Sequence, residues 1–159
     1  MLRTNFLGDE CSTDCVGCSI ANGEMIIPGG ILHESEFFLL HQDPETPIEG
    51  FFVITSKRHF KQLHEMTEIE AIHLSKMIHI AMNHLKILNP CILYTLIFEE
   101  RSKHFHVWIF PRLKWMETYE NSISTIREIM KISRLEANEE KKQSVMSFTD
   151  EFRKTLQLH

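Results

Sequence analysis

The stretch KHFHVWIFPR, from Lys103 to Arg112, decides how the rest of the chain is interpreted. Its alternating pattern predicts a β-strand, in which successive side chains point to opposite faces. One face then carries two imidazoles, an indole and a phenyl ring, at His104, His106, Trp108 and Phe110. The opposite face is apolar. Polar rings at consecutive positions on one face of a buried strand each need a partner, so the stretch predicts a functional site.

The residues before this stretch predict other strands of the same sheet. CILYTLIFEE, residues 91–100, is apolar on both faces and predicts a central strand, joined to 103–112 as a hairpin. FFVITSKRH, residues 51–59, predicts a strand that ends in a basic turn at His59. ILHESEFFLLHQ, residues 31–42, contains a further strand.

One long helix lies between these strands in the sequence. Thr67 and Glu70 fit a capping box, so the helix should begin near Glu68. It should stop at Asn89-Pro90, because proline cannot continue a helix. Its predicted apolar stripe consists of Ile69, Ile72, Met77, Ile80, Ala81 and Leu88. Strands on both sides of one helix, followed by helices, predict an α+β fold on an antiparallel sheet.

The sequence divides into three segments. Residues 1–10 look like a flexible N-terminal tail, residues 11–115 form the α+β domain, and residues 116–159 form a helical C-terminal extension. The extension is expected to pack on the domain or on a partner subunit, because its apolar residues recur at helical spacing.

Composition excludes several classes of protein. The 159 residues, 43% of them hydrophobic, suffice for one domain with a proper core. A net charge of −5 argues against a nucleic-acid partner. The sequence has neither a secretory signal nor an apolar run long enough for a membrane, so we expect a cytoplasmic protein without a membrane partner. In that compartment the four cysteines are thiols or metal ligands rather than disulfides.

The spacing Cys15-x-x-Cys18 supplies half of a tetrahedral zinc site. His59 or His104 can supply the rest. Cys11, Cys15 and Cys18 also match the spacing of iron–sulfur radical enzymes that use S-adenosylmethionine, but those enzymes need a larger, mostly parallel barrel. Cys91, at the start of a strand, is expected in the core.

Four segments occur in a familiar order: CVGCSIANGE, FFVITSKRHF, LHEMTEIEA and HFHVWIFPR. Over residues 15–112 the sequence resembles the histidine triad (HIT) family, in particular its zinc-knuckle bacterial branch, which is related to galactose-1-phosphate uridylyltransferases. The resemblance implies a five-stranded antiparallel sheet with one long helix packed on it, and a homodimer.

The resemblance also implies a chemistry. Family members are nucleotide-binding hydrolases or nucleotidyltransferases that attack the α-phosphate of nucleoside phosphoramidates, dinucleoside polyphosphates or nucleotide sugars. His106 takes the place of the nucleophile, which forms a nucleotidyl-histidine intermediate. A structural zinc ion would be held by Cys15, Cys18, His59 and His104.

This sequence departs from the family pattern around the phosphate. Trp108 stands where a third histidine, or the glutamine of the uridylyltransferases, belongs, and an indole N–H cannot accept or relay a proton. In the loop before the triad, Ser102 and Lys103 are candidate phosphate donors, while Glu99 and Glu100 would repel a phosphate. The ribose-binding acidic residue is replaced by His41, with Asp43 as the alternative contact.

Three other interpretations stay open. The chain can be a non-catalytic nucleotide-binding module that kept the fold and lost the triad, which Trp108 favours. His104 and His106 can together hold one metal with an open position. Both imidazoles can merely pack. A nucleotidyl adduct on His106 would distinguish the enzyme from all three.

Overall fold

The structure, a computed structural model, describes residues 1–88, 91, 93–98 and 102–157. Its main sheet has five antiparallel strands, in the spatial order Ile31–Glu34, Phe38–Gln42, Phe52–Ser56, His106–Arg112 and Leu93–Phe98. The strands are β3 Ile31–Glu34, β4 Phe38–Gln42, β5 Phe52–Ser56, β6 Leu93–Phe98 and β7 His106–Arg112. A separate hairpin pairs β1 Leu2–Thr4 with β2 Glu10–Ser12. The α+β fold, with a five-stranded antiparallel sheet, is confirmed.

Four α-helices accompany the sheet in the described part of the chain. They are α1 Val16–Ala21, α2 Glu68–Leu88, α3 Ile123–Leu135 and α4 Glu139–Leu156. Short 3-10 helices span Leu63–Glu65 and Lys114–Thr118. None of the described helices is both long enough and apolar enough to cross a membrane.

The start of α2 follows from its capping box, as predicted. The Thr67 backbone N–H donates to Glu70 Oε2 (2.8 Å), and the Glu70 backbone N–H donates to Thr67 Oγ1 (3.3 Å). These two bonds satisfy N–H groups that have no partner within the first turn of a helix. The predicted stop at Asn89-Pro90 lies outside the described residues.

The core lies between one face of the sheet and helices α2 and α4. Inward side chains of the central strands, such as Phe52, Ile54 and Val107, meet Met77 of α2 and Phe152 of α4. Phe105, Val107 and Ile109 all lie in this cluster, so the apolar face predicted for the 103–112 stretch is confirmed. The extension 116–159 therefore contributes to the core through α4.

The other face of the sheet is covered by α3 and by residues from the N-terminal third. Ile126, Ile129 and Met130 of α3 pack against Phe51 and Phe110. Trp108 packs partly against the same cluster. Alternation along β5 and β7 thus leaves Val53, Thr55 and His106 on a stretch of this face that α3 does not fill.

Two strand predictions differ from the structure. Segment 31–42 forms two strands, β3 and β4, because residues 35–37 make a turn in which the Ser35 and Phe38 backbones are hydrogen-bonded. The strand predicted as central is β6, which lies at the edge of the sheet. Its apolar residues Leu93, Leu96 and Phe98 are exposed, because only β7 pairs with β6 among the described residues. The predicted β6–β7 hairpin is confirmed.

Residues 1–10, for which the sequence predicted a flexible tail, make defined contacts with the rest of the chain in the structure. Residues 2–4 pair with 10–12, and the Phe6 backbone N–H donates to the carbonyl oxygen of Pro44 (2.8 Å). Asn5 Nδ2 donates to the carbonyl oxygen of Ile26 (3.0 Å). Asn5 and Phe6 are both buried, so tertiary contacts order this segment against the domain.

The stripe predicted for α2 was partly wrong. Met77 and Ala81 are buried as expected, but Ile69 and Ile72 are about half exposed, at 49% and 50%. The buried face instead includes Leu74, Leu85 and the polar residues Glu70 and His84. Polar residues can lie on the buried face when they have hydrogen-bond partners, so this face does not follow the apolar pattern alone. His84 is an example, since its Nδ1 pairs with Thr155 Oγ1 at 3.0 Å.

Candidate functional site

A cavity of about 230 Å³ opens on the face of the sheet that carries His106. Its walls come from α1, the loop that follows β4, and strands β5 and β7. Both apolar and polar groups line it, including Ile20, Val53, Thr55, His106 and Trp108. A concave, mixed lining of this kind suits a small organic ligand with polar groups.

The orientation of the His106 ring is set by the backbone of its own strand. Nδ1 lies 3.0 Å from the carbonyl oxygen of His104. A carbonyl only accepts hydrogen bonds, so Nδ1 carries the proton and the basic lone pair of the neutral ring is on Nε2. Phe105 and Val107, buried on the opposite face, anchor the strand on either side. His106 therefore presents a defined nitrogen lone pair from a rigid strand.

Trp108 lies beside His106 and is held from several sides. Its ring centroid lies 5.6 Å from that of His106 and 5.8 Å, edge-on, from that of Phe51. The guanidinium of Arg127 lies 6.0 Å from the centre of the indole, at cation–π distance. The indole thus forms part of a packed wall at the position next to His106 on the same face.

The two cysteines of the knuckle meet two histidines. Cys15 Sγ lies 3.5 Å from His59 Nδ1 and 3.4 Å from His104 Nδ1. Cys18 Sγ lies 3.2 Å and 3.5 Å from the same two atoms. The two Nδ1 atoms are 3.3 Å apart. The structure therefore brings together all four residues that the sequence predicted as metal ligands.

This geometry fits a tetrahedral zinc ion. Zn–N bonds near 2.0–2.1 Å and Zn–S bonds near 2.3 Å separate the ligand atoms of a tetrahedron by roughly 3.3–3.8 Å. His104 Nε2–H donates to the Ser56 carbonyl oxygen (2.7 Å), which leaves Nδ1 as the coordinating atom. Burial lowers the pKa of His104, which favours the neutral ring that a metal requires. The donor set and its supporting hydrogen bond both suit a structural zinc ion.

Gly17 makes this close approach of α1 and His104 possible. A Cβ atom at position 17 would lie 2.3–2.8 Å from three atoms of the His104 side chain. Real Cβ contacts do not occur at such distances, and His104 is buried, with its ring held at both nitrogens. Of the two residues between the cysteines, the one at position 17 therefore has to be glycine for His104 to reach the cluster.

Of the two predicted phosphate donors, Ser102 lines the cavity and Lys103 does not. Ser102 lines the cavity, and its Oγ accepts a hydrogen bond from the His104 backbone N–H (3.3 Å). Lys103 is exposed and is not among the lining residues. Glu99 and Glu100, expected to repel a phosphate, lie outside the described residues.

The predicted ribose contact, His41, reaches the cavity but is already engaged within the protein. Its Nδ1–H donates to the Gln42 carbonyl oxygen and its Nε2 accepts from Thr55 Oγ1, both at 2.8 Å. Complete burial lowers the pKa of His41 to about 4, so the ring is neutral. Asp43 also lines the cavity, and its Oδ1 accepts two backbone N–H bonds. Burial raises the pKa of Asp43 to about 6, against the opposing charge of Arg134.

Two arginines at the cavity were not expected. Arg3, from β1, and Arg134, from α3, both line it together with Glu45. Neither belongs to a motif, and each lies far in sequence from the other site residues. Only the folding of the N-terminal hairpin and α3 onto the sheet brings them there.

No protein-family model matches the sequence, and no curated protein matches it. Solved structures do match the fold. A hypothetical histidine triad nucleotide-binding protein from Sulfolobus tokodaii gives a TM-score of 0.60 at 19% identity, over 90% of this chain and 94% of its own. A zinc-bound histidine triad family protein from Mycobacterium smegmatis gives 0.58 at 15% identity, over 89% and 97%. A HIT-like protein involved in cell-cycle regulation from Bartonella henselae gives 0.63 at 14% identity, over 90% and 96%.

These likenesses confirm that the chain has the fold of histidine triad proteins. They extend over most of the chain, including helices that the sequence motifs did not cover. The predicted link to galactose-1-phosphate uridylyltransferases stays a prediction.

Proposed function

We propose that this chain, with its histidine triad fold, binds nucleotides and acts as a nucleotidyl hydrolase or transferase through a covalent intermediate on His106. The single observation that carries the proposal is the hydrogen bond from His106 Nδ1–H to the His104 carbonyl oxygen, 3.0 Å long. It assigns the lone pair to Nε2 in a ring that lines the cavity. That is the arrangement a neutral imidazole nucleophile needs.

The reaction follows from this tautomer. Nε2 attacks the α-phosphorus of the substrate, and the bond from phosphorus to the leaving oxygen or nitrogen breaks. The leaving group departs with the electron pair and takes up a proton. Water, or another acceptor hydroxyl, then attacks the nucleotidyl-histidine and loses its proton. The P–N bond breaks and its electron pair returns to Nε2, which releases the nucleotide product and restores His106.

Substrates in this proposal are nucleoside phosphoramidates, dinucleoside polyphosphates or nucleotide sugars. Ser102 Oγ and the Trp108 indole N–H are the proposed phosphate contacts, since both residues line the cavity. His41 and Asp43 support the ribose end. Lys103 is exposed, so its proposed contact is with an outlying phosphate at most.

Zinc in this proposal has a structural role. Cys15, Cys18, His59 and His104 would hold it, and the ion would crosslink the start of α1 to the loop after β5 and to the segment before β7. His104 is two residues before His106 and also provides the carbonyl that orients the His106 ring. Holding His104 in place therefore holds the nucleophile in place.

A second candidate function is a nucleotide-binding module without turnover. The packing of Trp108 against Phe51, His106 and Arg127 favours it, because a fixed indole offers one N–H and no proton relay. The alternative in which His104 and His106 share a metal has less support. His104 Nδ1 points into the cysteine cluster, and His106 Nδ1 is bonded to a backbone carbonyl.

Intact-mass analysis after incubation with adenylated and uridylylated substrates tests the proposal. We expect a mass increase of one nucleotidyl group on the wild type and none on His106→Ala, with zinc content unchanged. His64→Ala is the matched control, since His64 is exposed on a 3-10 helix away from the cavity. An adduct that persists in His106→Ala would disprove the assignment. Tight binding without any adduct would favour the binding module.

Trp108→His tests whether the missing imidazole limits the rate. Losing one group that stabilises charge in a transition state typically costs on the order of 10²–10³ in rate. We expect Trp108→His to recover a measurable part of such a factor in single-turnover measurements. An unchanged rate, with nucleotide affinity kept, would show that the third position is not the limiting defect.

We also propose that the protein is a cytoplasmic homodimer. The exposed apolar residues of the edge strand β6 support the dimer. The cytoplasmic location rests on the sequence prediction alone.

A further inference from the structure

A second open cavity, of about 550 Å³, adjoins the candidate active site and shares Arg3, Trp108 and Arg134 with it. Arg127 and Lys131 of α3 also line it. The described residues around this space, which we call the basic groove, include these four cations and no carboxylate. The chain as a whole has a net charge of −5. Four cationic side chains therefore gather next to the cavity that holds His106, in a protein whose overall charge is negative.

The helical repeat explains how α3 supplies three of these cations. Arg127, Lys131 and Arg134 are spaced i, i+4 and i+7, so they lie along one side of the helix. The adjacent side is buried, through Ile126, Ile129 and Met130, against the sheet face that carries Trp108. Packing of the apolar side thus directs the basic side toward the groove.

Glu45 contacts the guanidinium groups of Arg3 and Arg134 only at long distance. Glu45 lies 3.4 Å from Arg3 Nη1 and 3.6 Å from Arg134 Nη2. These contacts are longer than the 2.7–2.9 Å typical of a strong charge-assisted hydrogen bond. Arg3 Nε is buried and has no hydrogen-bond partner among the described residues. Asp43 also faces Arg134, so carboxylates balance part of this charge. The buried Arg3 Nε and the exposed Lys131 still offer donors for an anion.

We propose that the basic groove is an anion subsite that binds the phosphates of the substrate beyond the α-phosphate. This inference rests on the proposed function, because it takes the α-phosphate to lie at His106. Arg3, Trp108 and Arg134 line both cavities, so the groove lies next to the cavity in which the α-phosphate would meet His106. Arginine forks match phosphate oxygens in charge and geometry. Substrates with a polyphosphate leaving group are therefore favoured over phosphoramidates.

The groove also provides a reason why an indole can stand beside the nucleophile. Negative charge develops on the leaving phosphates as the bond to the α-phosphorus breaks. Cations already positioned around those phosphates stabilise that charge without a proton relay from position 108.

Titration calorimetry with AMP, ATP and inorganic tripolyphosphate tests the subsite. The variant is Arg127→Gln with Lys131→Gln, since both side chains are exposed on α3 and glutamine suits a helix. Lys76→Gln with Lys86→Gln removes the same charge from exposed positions of α2 and is the matched control. We expect wild type to bind ATP at least tenfold more tightly than AMP. The α3 variant should lose about tenfold in affinity for ATP and tripolyphosphate and a clearly smaller factor for AMP, which it can affect only through the contact of Arg127 with the Trp108 ring.

Equal affinity of wild type for ATP and AMP would overturn the subsite, as would equal losses in the α3 and α2 variants. AMP binding without tripolyphosphate binding would refute the groove and leave the proposed nucleotidyl chemistry intact. Tripolyphosphate binding that depends on Arg127 and Lys131, without any AMP binding or adduct, would support the groove and refute that chemistry.

Discussion

At the residue scale, the size of single side chains decides which atoms of the site can approach one another. Gly17 lets the ring of His104 approach α1, and His104 in turn joins the metal cluster and orients His106 through its carbonyl oxygen. Because position 17 has no Cβ atom, His104 can link the cysteine pair to the proposed nucleophile. Within the motif, His104 and His106 have separate tasks, although they are identical residues two positions apart.

We predict that wild type holds one zinc ion per chain and that Gly17→Ala loses most of it. The added methyl group would overlap the His104 ring, which has no room to retreat. Zinc measured by elemental analysis should fall well below one per chain, and the thermal midpoint should fall with it. In an exposed helix the same change would stabilise by about 0.5–1 kcal/mol. A more stable variant with full zinc would contradict the prediction.

At the element scale, α2 is tied to the loop after β5, which carries the metal ligand His59. Arg58 donates from Nε and Nη2 to the two carboxylate oxygens of Glu70, each at 2.8 Å. Glu70 also accepts the Thr67 backbone N–H in the capping box. One carboxylate thus caps the helix and joins it to the loop after β5. These bonds, led by the one from Arg58, lower the pKa of Glu70 to about 2.

We predict that Glu70→Gln lowers the free energy of unfolding by about 2–3 kcal/mol at pH 7. The pKa of Glu70 is lower in the folded state than in the unfolded chain. The stabilisation is therefore complete above the unfolded pKa, near 4.5, and is lost as pH falls through about 2. Denaturant unfolding of both proteins from pH 7 to pH 2.5 should show the difference shrinking below about pH 5. Glu68→Gln, at an exposed position of the same turn, is the control and should change little at any pH.

At the scale of the whole molecule, one edge of the sheet stands out. Strand β6 ends the five-stranded sheet and exposes Leu96 and Phe98, at 36% and 44%. Both lie on the face of the sheet that α2 covers, and Phe98 shares a surface pocket with Leu63 and Leu74. An apolar edge strand is a template for pairing with another strand. A second copy of the chain would cover this edge and extend the sheet.

We predict that the protein is a homodimer joined through β6, and that Leu96→Asp makes it monomeric. A buried aspartate without a partner is costly, so the charge should separate the subunits. Light scattering should give twice 18.7 kDa for wild type at micromolar concentration and 18.7 kDa for the variant. Ile123→Asp, at a 70% exposed position of α3, should remain dimeric. A monomeric wild type would refute the prediction.

Some features depend only on interactions between residues close in sequence, and these could be predicted from the sequence by itself. The alternation in residues 103–112 predicted which side chains share a face, because that pattern depends only on strand geometry. The capping box predicted the start of α2 for the same kind of reason, since its bonds join residues three apart. The spacing of Cys15 and Cys18 predicted half of a zinc site, with His59 or His104 as candidates for the rest, and the resemblance implied the full set of four ligands.

Tertiary structure alone decided the rest. An apolar strand such as 93–98 suits either the centre or the edge of a sheet, and only the pairing order put β6 at the edge. Burial of Glu70 with Arg58 decided which side of α2 faces inward. The basic groove formed because Arg3 and Arg134, 131 residues apart in the chain, meet around Glu45. Such contacts arise from packing between distant segments, and no periodic pattern within either segment encodes them.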